Sequence, residues 1–142
     1  MKHGTIRRIV LGGLSALLCL LLSGCARPSD SGVQVLLDGQ LFSSASVSQN
    51  AQTAMRVYIT LDGDALVDLP FGEEHTVTIR QADGAENTVR CTRDAVYMES
   101  ANCENQDCVE MGRVTRDNYE LRAMGGFIIC LPHRVSVEVR GE

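Results

Sequence analysis

Aromatic residues are scarce in this chain of 142 residues, which contains three Phe, three Tyr and no Trp. Flat cofactors such as flavins are usually held in pockets lined by aromatic and apolar side chains. The scarcity argues against a small-molecule binding domain, and we expect no bound cofactor.

Basic residues are few and do not form a cluster. Lys2 is the only lysine, and 18 acidic residues outnumber 13 Lys and Arg, giving a formal net charge of −5. Proteins that bind nucleic acid normally present a basic stripe to the phosphates. We therefore expect no nucleic-acid partner.

Motifs of known catalytic chemistry are also missing. The sequence has no Gly-x-Ser-x-Gly, P-loop, dinucleotide fingerprint or His-Glu-x-x-His. We predict no catalytic residue and no enzymatic activity. His133 follows Pro132 at the start of a strand-like segment, and we interpret this isolated histidine as structural or simply exposed.

The N-terminus has the features of a bacterial lipoprotein signal. Residues 1–8 carry three basic residues and no acid, residues 9–22 are almost entirely apolar, and Leu22-Ser23-Gly24-Cys25 resembles a lipobox. The apolar run is too short for a comfortable membrane span. The pattern predicts a signal peptide over residues 1–24, cleavage before Cys25, and a lipid such as palmitate on Cys25. Cleavage would remove three bases and leave a formal net charge of −8.

Residues 25–54 are interpreted as the lipidated N-terminus and a tether, which would hold a domain roughly 30 Å from the bilayer if flexible. Residues 33–41 are apolar and strand-like, however. They resemble residues 57–65, with Leu-Asp-Gly recurring 24 residues later. Both segments are therefore also interpreted as strands that end in an Asp-Gly turn.

Short strands and turns follow from residue 55 to residue 142. Alternating apolar residues predict strands near 55–61, 65–69, 76–80, 88–91, 95–99, 119–123 and 134–139. Residues 127–131 are apolar throughout, which predicts a strand covered on both faces. The fold class is all-β: a small sandwich or barrel of short antiparallel strands, preceded by the signal peptide and tether.

Four cysteines would remain besides the lipidated one: Cys91, Cys103, Cys108 and Cys130. Outside the cytoplasm an even number favours two disulfides, with three alternative connectivities. Linking Cys103 to Cys108 requires a tight loop, for which residues 105–107 are suitable. A zinc site with four cysteines is less consistent with the spacing, because no Cys-x-x-Cys pair occurs, and we expect no metal. A redox-active dithiol is the third alternative, although nearby acids would slow thiolate formation.

The C-terminal half resembles a known family, NusG domain II, in its stand-alone, membrane-anchored bacterial versions. The shared residues are Cys103, Cys108-Val109, Gly112 and the run Ile128-Ile129-Cys130-Leu131-Pro132-His133-Arg134-Val135. Asp62-Gly63 and Asn87 match the family pattern more loosely. The chain departs from it at Glu104-Asn105, at Arg113 and in a longer connection before Cys130.

The resemblance implies an all-β module over about residues 55–140. Because Cys91 is additional to the family's three cysteines, it also favours Cys103–Cys108 and Cys91–Cys130 disulfides. Stand-alone members are similar to accessory proteins, some of them linked to membrane flavin or quinone electron transfer.

The sequence therefore predicts a lipoprotein at the extracytoplasmic face of the cell membrane, or at an outer membrane if the host has one. Its β domain would be a non-catalytic interaction module with a protein partner in the cell envelope. The alternative is a redox accessory protein that uses Cys103 and Cys108.

Overall fold

Two antiparallel β-sheets and one short helix form the computed structural model, which describes residues 32–42 and 55–141. The first sheet has six strands, in the spatial order β2 (Gln40–Leu41), β1 (Gln34–Leu37), β5 (His75–Arg80), β6 (Glu86–Cys91), β7 (Ala95–Ala101) and β8 (Val114–Thr115). The second sheet has four, in the order β4 (Asp64–Pro70), β3 (Met55–Leu61), β10 (Val135–Gly141) and β9 (Phe127–Cys130). Helix α1 (Asp107–Glu110) follows β7.

Alternating burial along the strands brings the two sheets together around one core. In β3 every second residue from Met55 to Leu61 is buried, and in β10 Val135, Val137 and Val139 are buried. They belong to the same apolar cluster as Val77, Ile79 and Val89 of the first sheet. The predicted all-β class with antiparallel strands is confirmed.

The two Asp-Gly sequences form matching hairpin turns. Asp38 and Gly39 have φ of 51° and 82°, and Asp62 and Gly63 have φ of 53° and 90°. Two successive positive φ values are typical of the type I′ turn, whose twist suits two-residue hairpins. The expectation that both Leu-Asp-Gly segments are strands ending in a turn is confirmed.

The first hairpin is part of the domain. Strand β1 pairs along its whole length with β5, and Val35 lies opposite Ile79 in the core cluster. Residues 34–41, which the sequence analysis included in the tether, therefore belong to the six-stranded sheet. The rest of the tether, residues 25–31 and 43–54, lies outside the described residues.

One strand prediction was wrong, and a second was wrong only in its burial. Residues 119–123 form successive turns, in which the N–H groups of Leu121 and Arg122 donate to the carbonyl oxygen of Asn118, and Leu121 is 84% exposed. A strand, β9, does form near residues 127–131, but it is not fully covered on both faces, because one face is buried and the other only half-buried. Its buried residues alternate, and the following Leu131 is 78% exposed.

Candidate functional site

Three buried cysteines meet at one end of the core. Cys103 follows β7, Cys108 lies in α1 and Cys130 ends β9. Their Sγ atoms all lie within 4.8 Å of one another, and those of Cys103 and Cys108 are 3.8 Å apart. We call these residues the three-cysteine cluster. Sequence spacing did not reveal it, because Cys130 meets the other two only where β9 packs against α1.

The chain between Cys103 and Cys108 is bent by Gln106. This residue has a left-handed backbone with φ of 57°, and its side-chain amide donates to the carbonyl oxygens of Ala101 and Cys103. The bend begins α1 immediately after a tight loop, so that Cys108 faces Cys103. Gly112, with φ of 71°, ends the helix in a conformation that other residues adopt at a cost.

All three cysteines of the cluster are buried. Cys103, Cys108 and Cys130 are 6%, 1% and 1% exposed. Burial, together with the neighbouring Cys130 and Cys103 sulfurs, raises the pKa of Cys108 to about 12. At neutral pH Cys108 is therefore a thiol rather than a thiolate, and it is a slow nucleophile.

A narrow cleft connects the cluster with the surface. It has a volume of about 30 Å³, enough for a water molecule or an ion but not for a side chain of another protein. The cleft is lined by Asn105, Asp107, Cys108, Ile129, Cys130, Leu131 and Pro132.

The predicted disulfides are not present, since all four described cysteines are free. Cys103 and Cys108, for example, would have to approach from 3.8 Å to about 2.05 Å to bond. Cys91 lies outside the cluster because β6 places it in the six-stranded sheet, whereas Cys130 ends β9 in the other sheet. Burial raises the pKa of Cys91 to about 12. The pairing of Cys91 with Cys130 that the resemblance implied is therefore not formed.

His133 has a structural contact that links the two sheets. Its Nδ1–H donates to Oδ1 of Asn87 at 2.8 Å, and the Asn87 amide in turn contacts the sulfur of Met98 at 3.6 Å. Asn87 is fully buried in β6, and His133 is 9% exposed in the turn between β9 and β10. His133 thus links the turn between β9 and β10 to β6, and it is not simply exposed.

The other family-motif residues surround this turn and α1. Val109 is half-buried against the core, whereas Leu131 and Pro132 are exposed. Arg134 has φ of 58°, and its guanidinium lies 3.3 Å from the carboxylate of Asp62. The N–H of Asp62 also donates to the carbonyl oxygen of Arg134. These contacts join the β3–β4 turn to the β9–β10 turn.

His75 has partners that sequence reasoning missed. Its Nδ1 lies 2.9 Å from Asp38 and its Nε2 lies 3.3 Å from Glu73. Burial alone would lower the pKa of His75, but the two carboxylates outweigh it and raise the pKa above its ordinary value. Asp38 is far away in sequence and becomes a neighbour only through the pairing of β1 with β5, so no local motif could have revealed it.

The described residues thus define a small all-β module with a buried three-cysteine cluster. No helix among them is long and apolar enough to cross a membrane. The chain belongs to the NusG domain II family, whose sequence model matches residues 16–142.

Solved structures agree with this assignment at the level of the fold. The Lin0431 protein from Listeria innocua is 22% identical, with a TM-score of 0.53 over 61% of this chain and 95% of that one. A DUF1312 family protein from Enterococcus faecalis is 20% identical, with a TM-score of 0.53 over 62% and 98% of the two chains. A search of the curated proteins found no match.

Proposed function

We propose that the chain is a membrane-anchored extracytoplasmic lipoprotein whose β domain is a non-catalytic interaction or accessory module. The observation that carries this proposal is Leu22-Ser23-Gly24-Cys25, placed after a basic start and an apolar run. A Cys25 that carries several acyl chains would provide the stable anchoring that a single chain cannot. The acidic domain would be repelled by anionic headgroups, so the lipid alone would hold it at the membrane.

The position of the first hairpin adds a geometric constraint. Eight chain steps separate Cys25 from Val33, immediately before β1. Even a fully extended chain of that length spans at most about 28 Å. The domain would therefore act close to the membrane surface. Its partner would be a protein of the cell envelope that is accessible within this distance of the membrane.

Metabolic labelling tests the anchor. Cells that express the full chain would be fed an alkyne analogue of palmitate, and the protein would be separated into membrane and soluble fractions. We expect the wild type to be labelled and membrane-bound, and Cys25→Ser to lose the label. Cys19→Ser is the matched control and should behave as wild type, since it lies in the predicted signal peptide. Equal labelling of wild type and Cys25→Ser would contradict the proposal.

Crosslinking tests the interaction module. Membranes that contain the wild-type chain would be crosslinked, and the captured proteins would be compared with those captured by a control chain that keeps residues 1–31 but lacks the β domain. We expect a reproducible envelope protein with the wild type and not with the control. Identical sets of captured proteins would argue against an interaction role for the domain.

The second candidate function is a redox accessory role for Cys103 and Cys108. It is favoured by their separation of 3.8 Å, which a small side-chain movement would convert to a bond. The narrow cleft weighs against it, because a partner's cysteine would have to reach buried sulfur. A Cys103–Cys108 bond with a reduction potential below about −300 mV would be a structural brace and would eliminate the redox role.

A further inference from the structure

The three-cysteine cluster has the composition and shape of a metal site. We propose that Cys103, Cys108 and Cys130 bind a single Cu(I) ion through their three sulfur atoms. The proposal is independent of the lipid anchor and of the identity of any protein partner.

The spacing of the sulfur atoms fits one central ion. Thiolate–metal bonds are about 2.3 Å long, so three sulfurs in a plane around one ion lie about 4 Å apart. Here all three Sγ atoms lie within 4.8 Å of one another, and those of Cys103 and Cys108 are 3.8 Å apart. Small side-chain rotations would therefore complete the site without movement of the strands.

The ligand set favours Cu(I) over zinc. Thiolate sulfur is a soft ligand that selects ions such as Cu(I) and zinc. Structural zinc sites are almost always closed by four ligands, however, and the cluster offers three. Among the described residues no further His, Asp, Glu or Cys joins the group, and Cys91 lies apart from it. Three sulfur ligands match the trigonal coordination that Cu(I) accepts.

The surroundings allow a cation to enter. The cleft of about 30 Å³ reaches Cys108 and Cys130 and is lined by the carboxylate-bearing Asp107. Glu104 and Glu110 are exposed on either side of Asp107 in the sequence. Together with Asp107, they would attract a positive ion. A bulky partner thiol would be excluded, whereas a single ion would fit.

The binding step involves no electron transfer. Each of the three thiols releases its proton to solvent, three copper–sulfur bonds form, and the copper stays in the +1 state. The resulting site carries a formal charge of −2. The side-chain amide nitrogen of Gln106 lies 3.9 Å from Sγ of Cys103, while its two hydrogens are donated to the carbonyl oxygens of Ala101 and Cys103.

The test is an anaerobic titration of the reduced full chain with Cu(I) in competition with a chromogenic Cu(I) chelator. Cys19→Ser and Cys25→Ser would be present throughout, so that Cys91 and the cluster supply the only thiols. We expect one equivalent to bind. Cys103→Ser, Cys108→Ser and Cys130→Ser should each lower the affinity by about 100-fold or more, since loss of even a supporting residue costs about 10–100-fold. Cys91→Ala is the matched control and should bind as the parent does.

Two further readouts keep the proposal testable if a serine variant does not fold. Cu(I) should raise the melting temperature of the parent, since a ligand that binds the native state stabilises it. X-ray absorption should show three sulfur neighbours at roughly 2.3 Å. Absence of binding would overturn the proposal, as would coordination by two sulfurs, or loss of binding in Cys91→Ala equal to that in the cluster variants. Tight zinc binding without Cu(I) binding would overturn it as well.

Discussion

The hydrogen bond between His133 and Asn87 should contribute measurably to stability. It joins the turn between β9 and β10 to the middle of the other sheet, and Oδ1 of Asn87 accepts the bond at 2.8 Å in a fully buried position. His133→Ala removes the donor and leaves this oxygen buried without a partner. Such a group costs about 1–3 kcal/mol, so we expect a loss of about 2 kcal/mol. For a domain of this size that is a fall in melting temperature of about 8 °C or more.

Urea denaturation of wild type, His133→Ala, Asn87→Ala and the double variant would measure the bond itself. We expect the double variant to be less destabilised than the sum of the two single variants by about 1 kcal/mol, the net value of a typical hydrogen bond. Asn102→Ala is the control, since this exposed side chain makes similar bonds to backbone groups at the surface. It should cost less than about 1 kcal/mol because water can replace those bonds. Additive losses in the double variant would refute the reasoning.

Three other predictions concern the same domain. Gly126→Ala should destabilise it by about 1–3 kcal/mol in denaturant titrations, because a Cβ there would lie 2.1 Å from a carbonyl oxygen of β10. Gly84→Ala, which meets open space but has φ of 89°, should cost less, and the reverse order would contradict the packing argument. The raised pKa of His75 means that its charged form stabilises the native state. This contribution should be complete below about pH 6.5, its unfolded value, and should be lost as pH rises through the folded pKa. Melting temperatures between pH 5.5 and 8.5 would show this loss in the wild type. The same pH dependence in His75→Gln, which lacks the titrating ring, would refute the prediction. The pKa of Asp38 is lowered, so its ionised form also stabilises the native state. This stabilisation should be lost only when the pH falls into the acid range. Finally, Cys91 should resist alkylation at neutral pH until the protein unfolds, because burial raises its pKa to about 12. Peptide mass spectrometry would detect its modification, and rapid labelling of the native protein would count against the structure.

Much of the fold could be predicted because the strands are amphipathic. In β3 and β10 apolar residues occupy every second position, so a period of two was visible before any pairing was known. The Asp-Gly turns at residues 38–39 and 62–63 were equally visible, since few sequences tolerate two positive φ values. Residues 119–123 were predicted as a strand because Tyr119, Leu121 and Ala123 alternate with charged residues. Three alternating positions are too few to distinguish a strand from successive turns.

The site could not be predicted from spacing, because it depends on contacts between distant segments. An even number of cysteines suggested two pairs, whereas the packing of α1 against β9 groups Cys103, Cys108 and Cys130 and leaves Cys91 of β6 outside the cluster. The left-handed bend at Gln106, which turns Cys108 toward Cys103, has no signature in composition. The contact of His133 with Asn87 could not be predicted either, because the two residues are 46 positions apart in the sequence. Asn87 matches the family pattern, but the pattern does not indicate its partner.

The mass of the mature protein tests the central proposal most directly. Intact mass spectrometry of the chain extracted from the membranes of a lipoprotein-processing bacterium would identify its N-terminus and any bound lipid. We predict a chain that starts at Cys25, lacks residues 1–24 and carries added mass from several acyl chains. A chain that retains Met1 and carries no lipid would contradict the proposal that this β domain is anchored at the extracytoplasmic face of the membrane.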